Sequence, residues 1–536
     1  MSLVTSLSII ELFLLTFVSL TLYTAHFYFR YFTRKSKVPG PVPLPIFGTL
    51  LYSYKVGTFN FIRDCYEKYG PIFEIYVGDN LITHREIYLS KPELLEKIFS
   101  NSTKSNFTLR NPSHDGMDEL GFGKNGMVMN SDVASWKKNR MLSVPLLMNP
   151  GFLKNQVYVT QEMFKEMEIC WKSLYDDKIL LEFTSLMQRF SLDLVIASTL
   201  GKPSYAVKSL YNSLDGTNKQ DENSSAYKSS QDLIRQVHSF FKSILFFEQP
   251  AWLRHTLLLY YNNYYLNEMK SLNNSIENDI KIRREEIIMD IKNGINVQEK
   301  WRDIMSLFLL KYSITENQGK TSQIQDFDVT DDVIRSNLTE VFIGGADTTA
   351  NSLSFTIYYL CKYPHVKKRL FDDIDVILSS NTSRDVTFED IEKFEYGEAV
   401  IKEVNRMTPV APVIDRSNVA EDEIGGYSFE AGTRFNAFMA QIYKNPEYFK
   451  DPEEFNPDRF MKGSENVSHK YNSYLPFGSG LRVCPGRHGA MIVMKTFLMC
   501  FLKTYDVEFF DKNQKLNVSF DVGFHCDEYK IAITRR

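Results

Sequence analysis

Cysteine is scarce in this sequence: six residues in 536, at positions 65, 170, 361, 484, 500 and 526, with no Cys-x-x-Cys pair. That pattern excludes a disulfide-stapled secreted scaffold and a zinc knuckle, and it fits a reducing compartment. Neither sign of charge dominates, since 62 basic against 66 acidic side chains leave a formal charge of −4. The electrostatic footprint of a nucleic-acid binder is therefore missing, and no nucleic acid is expected as a partner. No repeat is visible beyond residue 50, and only one hydrophobic run reaches membrane-spanning length, so a solenoid and a multi-span membrane protein are also excluded. Core-forming material, by contrast, is abundant. With 43% hydrophobic and 14% aromatic residues the chain is neither disordered nor collagen-like, and its length suits one large domain or up to three at about 100–200 residues each.

The one long apolar run spans Leu12 to Phe29, which holds no Asp, Glu, Lys or Arg. It is close to the ~20 residues that cross a bilayer as a helix. A cleaved signal peptide would want a basic start, a shorter apolar core and small residues at a cleavage site, and these are not found. Arg30, Arg34, Lys35 and Lys37 follow the run while no Lys or Arg precedes it, so the positive-inside rule puts the rest of the chain on the cytoplasmic side. Prolines at 39, 41, 43 and 45 then forbid a helix and favour a stiff extended segment, read as a spacer. This gives an anchor over 1–30, a basic and proline-rich linker over 31–48, and a single body over 49–536.

Within the body, apolar periodicity predicts long buried helices over Phe183 to Leu200, Val333 to Cys361 and His488 to Tyr505. Shorter strand-like runs lie at Pro71 to Val77 and Lys515 to Phe520, so the fold is mainly α with a minor β-sheet region. The polar stretches Asp215 to Ser230 and Ser313 to Asp328 read as surface loops. Leu245-Phe246-Phe247 with Pro250, Trp252 and Leu253 forms an aromatic patch suited either to the core or to a membrane surface.

Chemistry concentrates at Phe477-Gly478-Ser479-Gly480-Leu481-Arg482-Val483-Cys484-Pro485-Gly486, a glycine-rich loop entering a helix. Backbone N–H groups and the positive end of a helix favour the thiolate at Cys484, the form that ligates metals. Glycines let the backbone approach a flat, bulky partner, and Arg482 can pair with an anionic group on it. A phosphate loop would need a Lys-Ser/Thr pair that is not there. A second unusual stretch, Gly344-Gly345-Ala346-Asp347-Thr348-Thr349, sits inside a predicted helix that Thr330 would cap. Two glycines cost about 1 kcal/mol each there, which suits either a widened turn with an exposed carbonyl and a free hydroxyl or a close helix crossing.

The order Phe-x-x-Gly-x-Arg-x-Cys-x-Gly over 477–486 resembles the haem-thiolate signature of the cytochrome P-450 family. Further stretches resemble the family in the same order along the chain. They are Trp136-x-x-x-Arg140, the Asp347-Thr348 acid-alcohol pair, Glu403-x-x-Arg406, and Phe455 to Phe460 with Arg459. The resemblance covers Pro39 to Ile531 and implies the cytochrome P-450 fold, one large haem domain behind a transmembrane helix. It implies haem b with Cys484 as axial iron ligand, Phe477 and Arg482 beside the cofactor, and Trp136, Arg140 and Arg416 toward its propionates. Glu403, Arg406 and Arg459 would form a structural network, Asp347 and Thr348 would deliver protons during oxygen activation, and Phe342, Ala346, Val410 and Val413 would line an apolar substrate pocket. Gly489 departs from the pattern, since the family usually places an apolar side chain before Ala490, and should loosen packing under the haem.

The resemblance further implies a microsomal-type monooxygenase of the endoplasmic reticulum membrane. It would insert one oxygen atom of O2 into a lipophilic molecule such as a fatty acid, sterol or terpenoid. Too few residues come after 505 to form a nicotinamide or flavin domain, so NADPH acts indirectly through a separate NADPH-cytochrome reductase, with cytochrome b5 as an optional second donor. Arg482, Arg487 and His488 would make the docking face basic. Two alternatives are a haem-thiolate isomerase or dehydratase, which has no need of Asp347 and Thr348, and a non-catalytic membrane haem-binding protein.

Overall fold

The computed structural model describes residues 9–79, 82–110, 115–122, 125–172, 179–215, 225–247, 249, 251–313, 329–379, 381, 383–463, 472–520 and 522–536. Its principal helices are α1 (Ile9–Thr33), α2 (Val133–Leu147), α3 (Pro150–Lys172), α4 (Phe183–Leu200), α5 (Ser225–Phe247), α6 (Leu259–Lys292), α7 (Asp331–Lys362), α8 (Pro364–Ile377), α9 (Glu395–Met407) and α10 (Arg487–Thr504). The strands are β1 (Ile72–Asp79), β2 (Ile82–Leu89), β3 (Ile179–Glu182), β4 (Ile414–Ser417), β5 (Asp422–Ile424), β6 (Tyr427–Phe429), β7 (Arg434–Ala437), β8 (Tyr505–Phe509), β9 (Val518–Phe520), β10 (Phe524–Cys526) and β11 (Lys530–Arg535).

The three long helices expected from periodicity are present, α4 with both ends as read. Helix α7 starts where the Thr330 hydroxyl accepts the Val333 N–H, carries Asp331 and Asp332 in its first turn, and stops ahead of Pro364. Helix α4 ends at Gly201, whose φ of +64° is the left-handed conformation glycine adopts at no steric cost. Helices α3, α4, α7 and α10 share one aromatic core in which Trp171, Phe190, Phe355, Phe497 and Phe501 are almost fully buried. Burial of each such side chain is worth roughly 1.5–3 kcal/mol, so this core fixes α7 and α10 relative to each other.

A four-stranded sheet in the order β1-β2-β7-β4 forms the minor β region, with β2 and β7 parallel and the other pairs antiparallel. Strands β3, β11 and β8 make a second sheet, while β5/β6 and β9/β10 are two-stranded. The proline segment is not a free spacer. Val38 is buried in the core under the first sheet, Pro39 accepts the Glu74 N–H at 2.9 Å, and a Cβ at Gly40 would lie 2.1 Å from the Glu74 carbonyl oxygen.

Helix α1 runs three residues past the expected end at residue 30. Ile10–Thr33 is the one helix among the described residues long and apolar enough to cross a membrane, with a mean hydropathy of 1.5. The expected loop over 215–230 is corrected in part, because Ser225 onward belongs to α5; residues 216–224 and 314–328 lie outside the described residues. The aromatic patch divides. Phe247 is buried beneath the Arg254 guanidinium at 4.7 Å, whereas Trp252 is exposed, and Pro250 and the Leu245 side chain lie outside the described residues.

Candidate haem-binding and proton-relay site

The Cys484 loop is held by a turn in which the Cys484 N–H donates to the Phe477 carbonyl at 2.9 Å. Gly478 and Gly480 both sit at φ +71°, and a Cβ at Gly480 would come within 2.8 Å of the Phe99 carbonyl oxygen, so the glycines serve conformation and close approach together. Loss of solvent pushes the Cys484 thiol up, opposed by the Gly486 N–H and the cations Arg110, Arg140 and Arg487. The helix-end effect expected from sequence is thus outweighed by desolvation. Coordination to a metal deprotonates a thiol outright and removes that penalty.

Arginines from separate parts of the chain converge on this loop. Arg140, on α2, donates to the Val483 carbonyl at 2.7 Å, and Arg416, on β4, to the Ser479 carbonyl at 3.3 Å. Arg482 lies 3.8 Å from the Trp136 ring centroid and donates to the carbonyls of Thr108 (2.9 Å) and Asn130 (3.0 Å). Arg110, which no sequence motif had singled out, points its Nη2 at the Arg482 carbonyl at 3.5 Å. Burial first, then mutual repulsion, pushes these guanidiniums down: Arg140 to about 10, Arg416 to about 9 and Arg482 to about 8. Guanidiniums nevertheless stay protonated in proteins, so the strain is relieved only by an anion.

Among the described residues, little of that anion is supplied. Asp415 acts on Arg416 and Glu340 on Arg482, but Glu340 commits its carboxylate to the N–H groups of Met127, Val128 (2.8 Å) and Met129 (2.9 Å). The buried Nε1 of Trp136 and Nε of Arg110 have no hydrogen-bond partner among the described residues. A flat, dianionic, iron-bearing macrocycle matches this donor set: propionates for the guanidiniums and the indole N–H, and iron for the Cys484 sulfur.

Glu403 is completely buried and accepts two bonds from Arg406 (2.8 and 2.9 Å), one from Arg459 (3.0 Å) and one from the Asn456 N–H (2.8 Å). Arg406 also donates to the carbonyls of Tyr443, Pro452 and Glu454. The three residues read from separated motifs therefore form one network.

On α7 the two glycines behave differently. A Cβ at Gly345 would meet Val195 of α4 at 3.0 Å, and Ser191 donates to the Ala346 carbonyl at 2.6 Å, so this residue serves a close helix crossing. Gly344 has nothing near its Cβ direction, and its carbonyl accepts the Thr348 hydroxyl at 2.8 Å. The hydroxyl expected to be free is thus bonded, and the helix runs unbroken from Asp331 to Lys362. Asp347 pairs with His525 of β10 at 3.3 Å, a contact that no motif announced.

The four pocket residues do not form one packed group. Phe342 and Ala346 are buried in a cluster with Leu120, Phe122 and Met127, whereas Val410 packs on the main aromatic core and Val413 beside Phe61 and Phe73. Arg482 is only 3% exposed, so it cannot contribute to a basic docking surface; its charge is turned inward onto backbone carbonyls. His488 is exposed and Arg487 half-buried.

A fold built on a buried central helix, with a cysteine loop ringed by arginines, defines a haem-thiolate protein. The chain belongs to the cytochrome P450 family, whose model matches residues 38–534. It is a haem b monooxygenase. Among its relatives, cytochrome P450 3A18 of Rattus norvegicus is 27% identical, with 90% of this chain and 88% of the relative covered. The lithocholate 6-beta-hydroxylase of Mesocricetus auratus is 26% identical over 95% of this chain and 93% of its own. A solved cytochrome P450DA haem domain shares the fold at a TM-score of 0.71 and 19% identity, covering 93% of this chain and 98% of that one.

Proposed function

We propose that this chain hydroxylates or epoxidises a lipophilic small molecule at the endoplasmic reticulum membrane. Electrons come from NADPH through a separate membrane-bound reductase, and the body lies on the cytoplasmic side of a single-pass anchor. The observation that carries the reading is the convergence of Arg110, Arg140, Arg416 and Arg482, buried and under-neutralised, on the Cys484 loop.

Bound haem supplies the binding and reductive activation of O2. Cys484 would ligate its iron; Arg110, Arg140, Arg416, Arg482 and the Trp136 N–H would hold its propionates. Phe477 positions Cys484 by accepting its N–H. The Glu403, Arg406 and Arg459 network keeps the segment ahead of the loop in place. Thr348, anchored to the Gly344 carbonyl, would order a water, and the Asp347 carboxylate would take up a proton and relay it to that water, which is general acid catalysis through one water. Apolar side chains at Phe342 and Ala346 suit a substrate with little polar surface, and a relative named for hydroxylating lithocholate supports that class.

The test is the ferrous carbon monoxide spectrum and turnover of membranes holding the full chain and a reductase. Wild type should show the red-shifted band of thiolate ligation and consume NADPH with a lipophilic substrate, and Cys484→Ser should lose the band while Cys500→Ser keeps it. A retained band in Cys484→Ser would overturn the ligand assignment.

A further inference from the structure

Asp347 is held by more than its own helix. Strand β10 lies against α7, fixed on both sides of His525: the Phe524 N–H donates to the Val410 carbonyl at 2.9 Å, and the Cys526 N–H donates to the Asn351 side-chain oxygen at 2.8 Å. Asn351, one turn after Asp347 on α7, also donates from its Nδ2 to the Asp347 carbonyl at 3.0 Å. Gly523 allows the approach, since a Cβ there would lie 2.5 Å from the Val410 carbonyl oxygen. This clamp sets the His525 imidazole against the carboxylate, with Nδ1 at 3.3 Å from Asp347 Oδ2 and 3.4 Å from Asn351 Nδ2. A carboxylate only accepts and an amide NH2 only donates, so the two neighbours ask opposite things of Nδ1. One Asn351 N–H is committed to the Asp347 carbonyl, and of the two neighbours of Nδ1 the carboxylate is the nearer and the stronger partner, so we assign the hydrogen to Nδ1, donated to Asp347.

We infer that His525 is a positioning residue for proton delivery: its Nδ1–H holds the Asp347 carboxyl in one rotamer beside Thr348 and withholds it from idle orientations. The inference rests on the relay role of Asp347 proposed above. It predicts a separation that a packing role would not produce. Removing the donor should leave haem and its ligand in place, because His525 is partly exposed and belongs neither to the Cys484 loop nor to the guanidiniums that converge on it. What falls is the fraction of NADPH that ends in oxygenated product.

The experiment uses the full-length holoenzyme in bilayer nanodiscs with a reductase, and compares His525→Phe, His525→Asn and Asp347→Asn. His525→Phe should keep haem content and the carbon monoxide spectrum while product per NADPH drops about three- to tenfold, the scale of one partly exposed charge-assisted bond. His525→Asn, whose amide retains a donor near the Nδ1 position, should recover at least half of that loss. A readout without turnover accompanies this. The imidazole 15N spectrum of the diamagnetic carbon monoxide complex, assigned by the signal lost in His525→Phe, should show hydrogen on Nδ1, and Asp347→Asn should shift that signal. Wild-type coupling in His525→Phe, or equal loss in the Phe and Asn variants, would overturn the inference. Unchanged coupling in Asp347→Asn would instead overturn the relay itself, so the two failures are told apart.

Discussion

Arg406→Ala tests the scaffold most severely. Glu403 and Arg406 have no exposed side-chain surface, and the arginine satisfies both carboxylate oxygens together with the Tyr443, Pro452 and Glu454 carbonyls. Alanine leaves Glu403 with Arg459 and one backbone N–H for its charge, and takes the arginine donor from the Tyr443 and Pro452 carbonyls, while Glu454 keeps Arg459 at 3.3 Å. Breaking a buried pair from one side costs about 3–5 kcal/mol, a large part of the roughly 5–15 kcal/mol that holds a domain together. At 1.4 kcal/mol per factor of ten, the folding equilibrium constant of this region falls by roughly 100- to 4,000-fold. The damage reaches the cofactor loop because the Tyr443 hydroxyl accepts the Leu475 N–H and the Tyr474 hydroxyl donates to the Lys402 carbonyl. The expected product is apoprotein, read as haem per polypeptide after purification and as the urea midpoint of the carbon monoxide band. Arg406→Lys, which keeps the charge and loses the planar fork, should fall between the two. Full haem occupancy with lost turnover in Arg406→Ala would refute the reasoning and make Arg406 a catalytic residue.

Thr348→Ala should retain haem and the carbon monoxide band while product per NADPH falls and hydrogen peroxide rises; unchanged coupling would remove Thr348 from proton delivery. Arg110→Ala should act in opposite directions on two states, speeding haem loss about tenfold while raising the melting temperature of the apoprotein, since it deletes both a propionate donor and a source of repulsion. Loss of stability in the apoprotein would contradict that account. Asn101-Ser102-Thr103, Asn106-Phe107-Thr108 and Asn466-Val467-Ser468 are formal acceptor sites, yet glycosidase should not change the mobility of the native protein; a shift would place the body in the lumen.

The long helices were legible because each buries a wide apolar face and is bounded by clear stops, such as Thr330 and Pro364 around α7 or Gly201 after α4. Cys484 and the Glu403, Arg406 and Arg459 network were legible as motifs, because conformation and charge fix both residue type and spacing. Arg110 and His525 were not. Their meaning comes from contacts across hundreds of residues, Arg110 with Arg482 and His525 with Asp347, and nothing in the flanking sequence distinguishes either from an ordinary charged or strand residue. The pair of glycines on α7 shows the same limit from the other side. Of the two readings of Gly344-Gly345 the close helix crossing holds, at Gly345 against Val195, while the widened turn does not form, because the Thr348 hydroxyl bonds the Gly344 carbonyl inside an unbroken helix.

The stretch after α1 has a mechanical consequence. A flexible tether would let the body drift on its anchor, but here the end of the apolar helix is joined to the first sheet by side chains on both parts. Tyr31 packs edge-on against Tyr76 of β1 at 5.6 Å, Arg34 pairs with the buried Glu74 at 2.7 Å, and Ser36 donates to the Ser428 carbonyl at 2.7 Å. Arg85 closes the set by reaching Glu74 at 2.6 Å and the Ser36 carbonyl at 2.8 Å. Glu74 has no exposed side-chain surface, so losing either arginine strands charge away from water, a penalty larger than any surface ion pair offsets. Arg34, one of the basic residues that follow the apolar run, therefore fixes the first sheet to the apolar helix, and if that helix anchors the chain as proposed, the same contacts restrict how the body can tilt on the membrane.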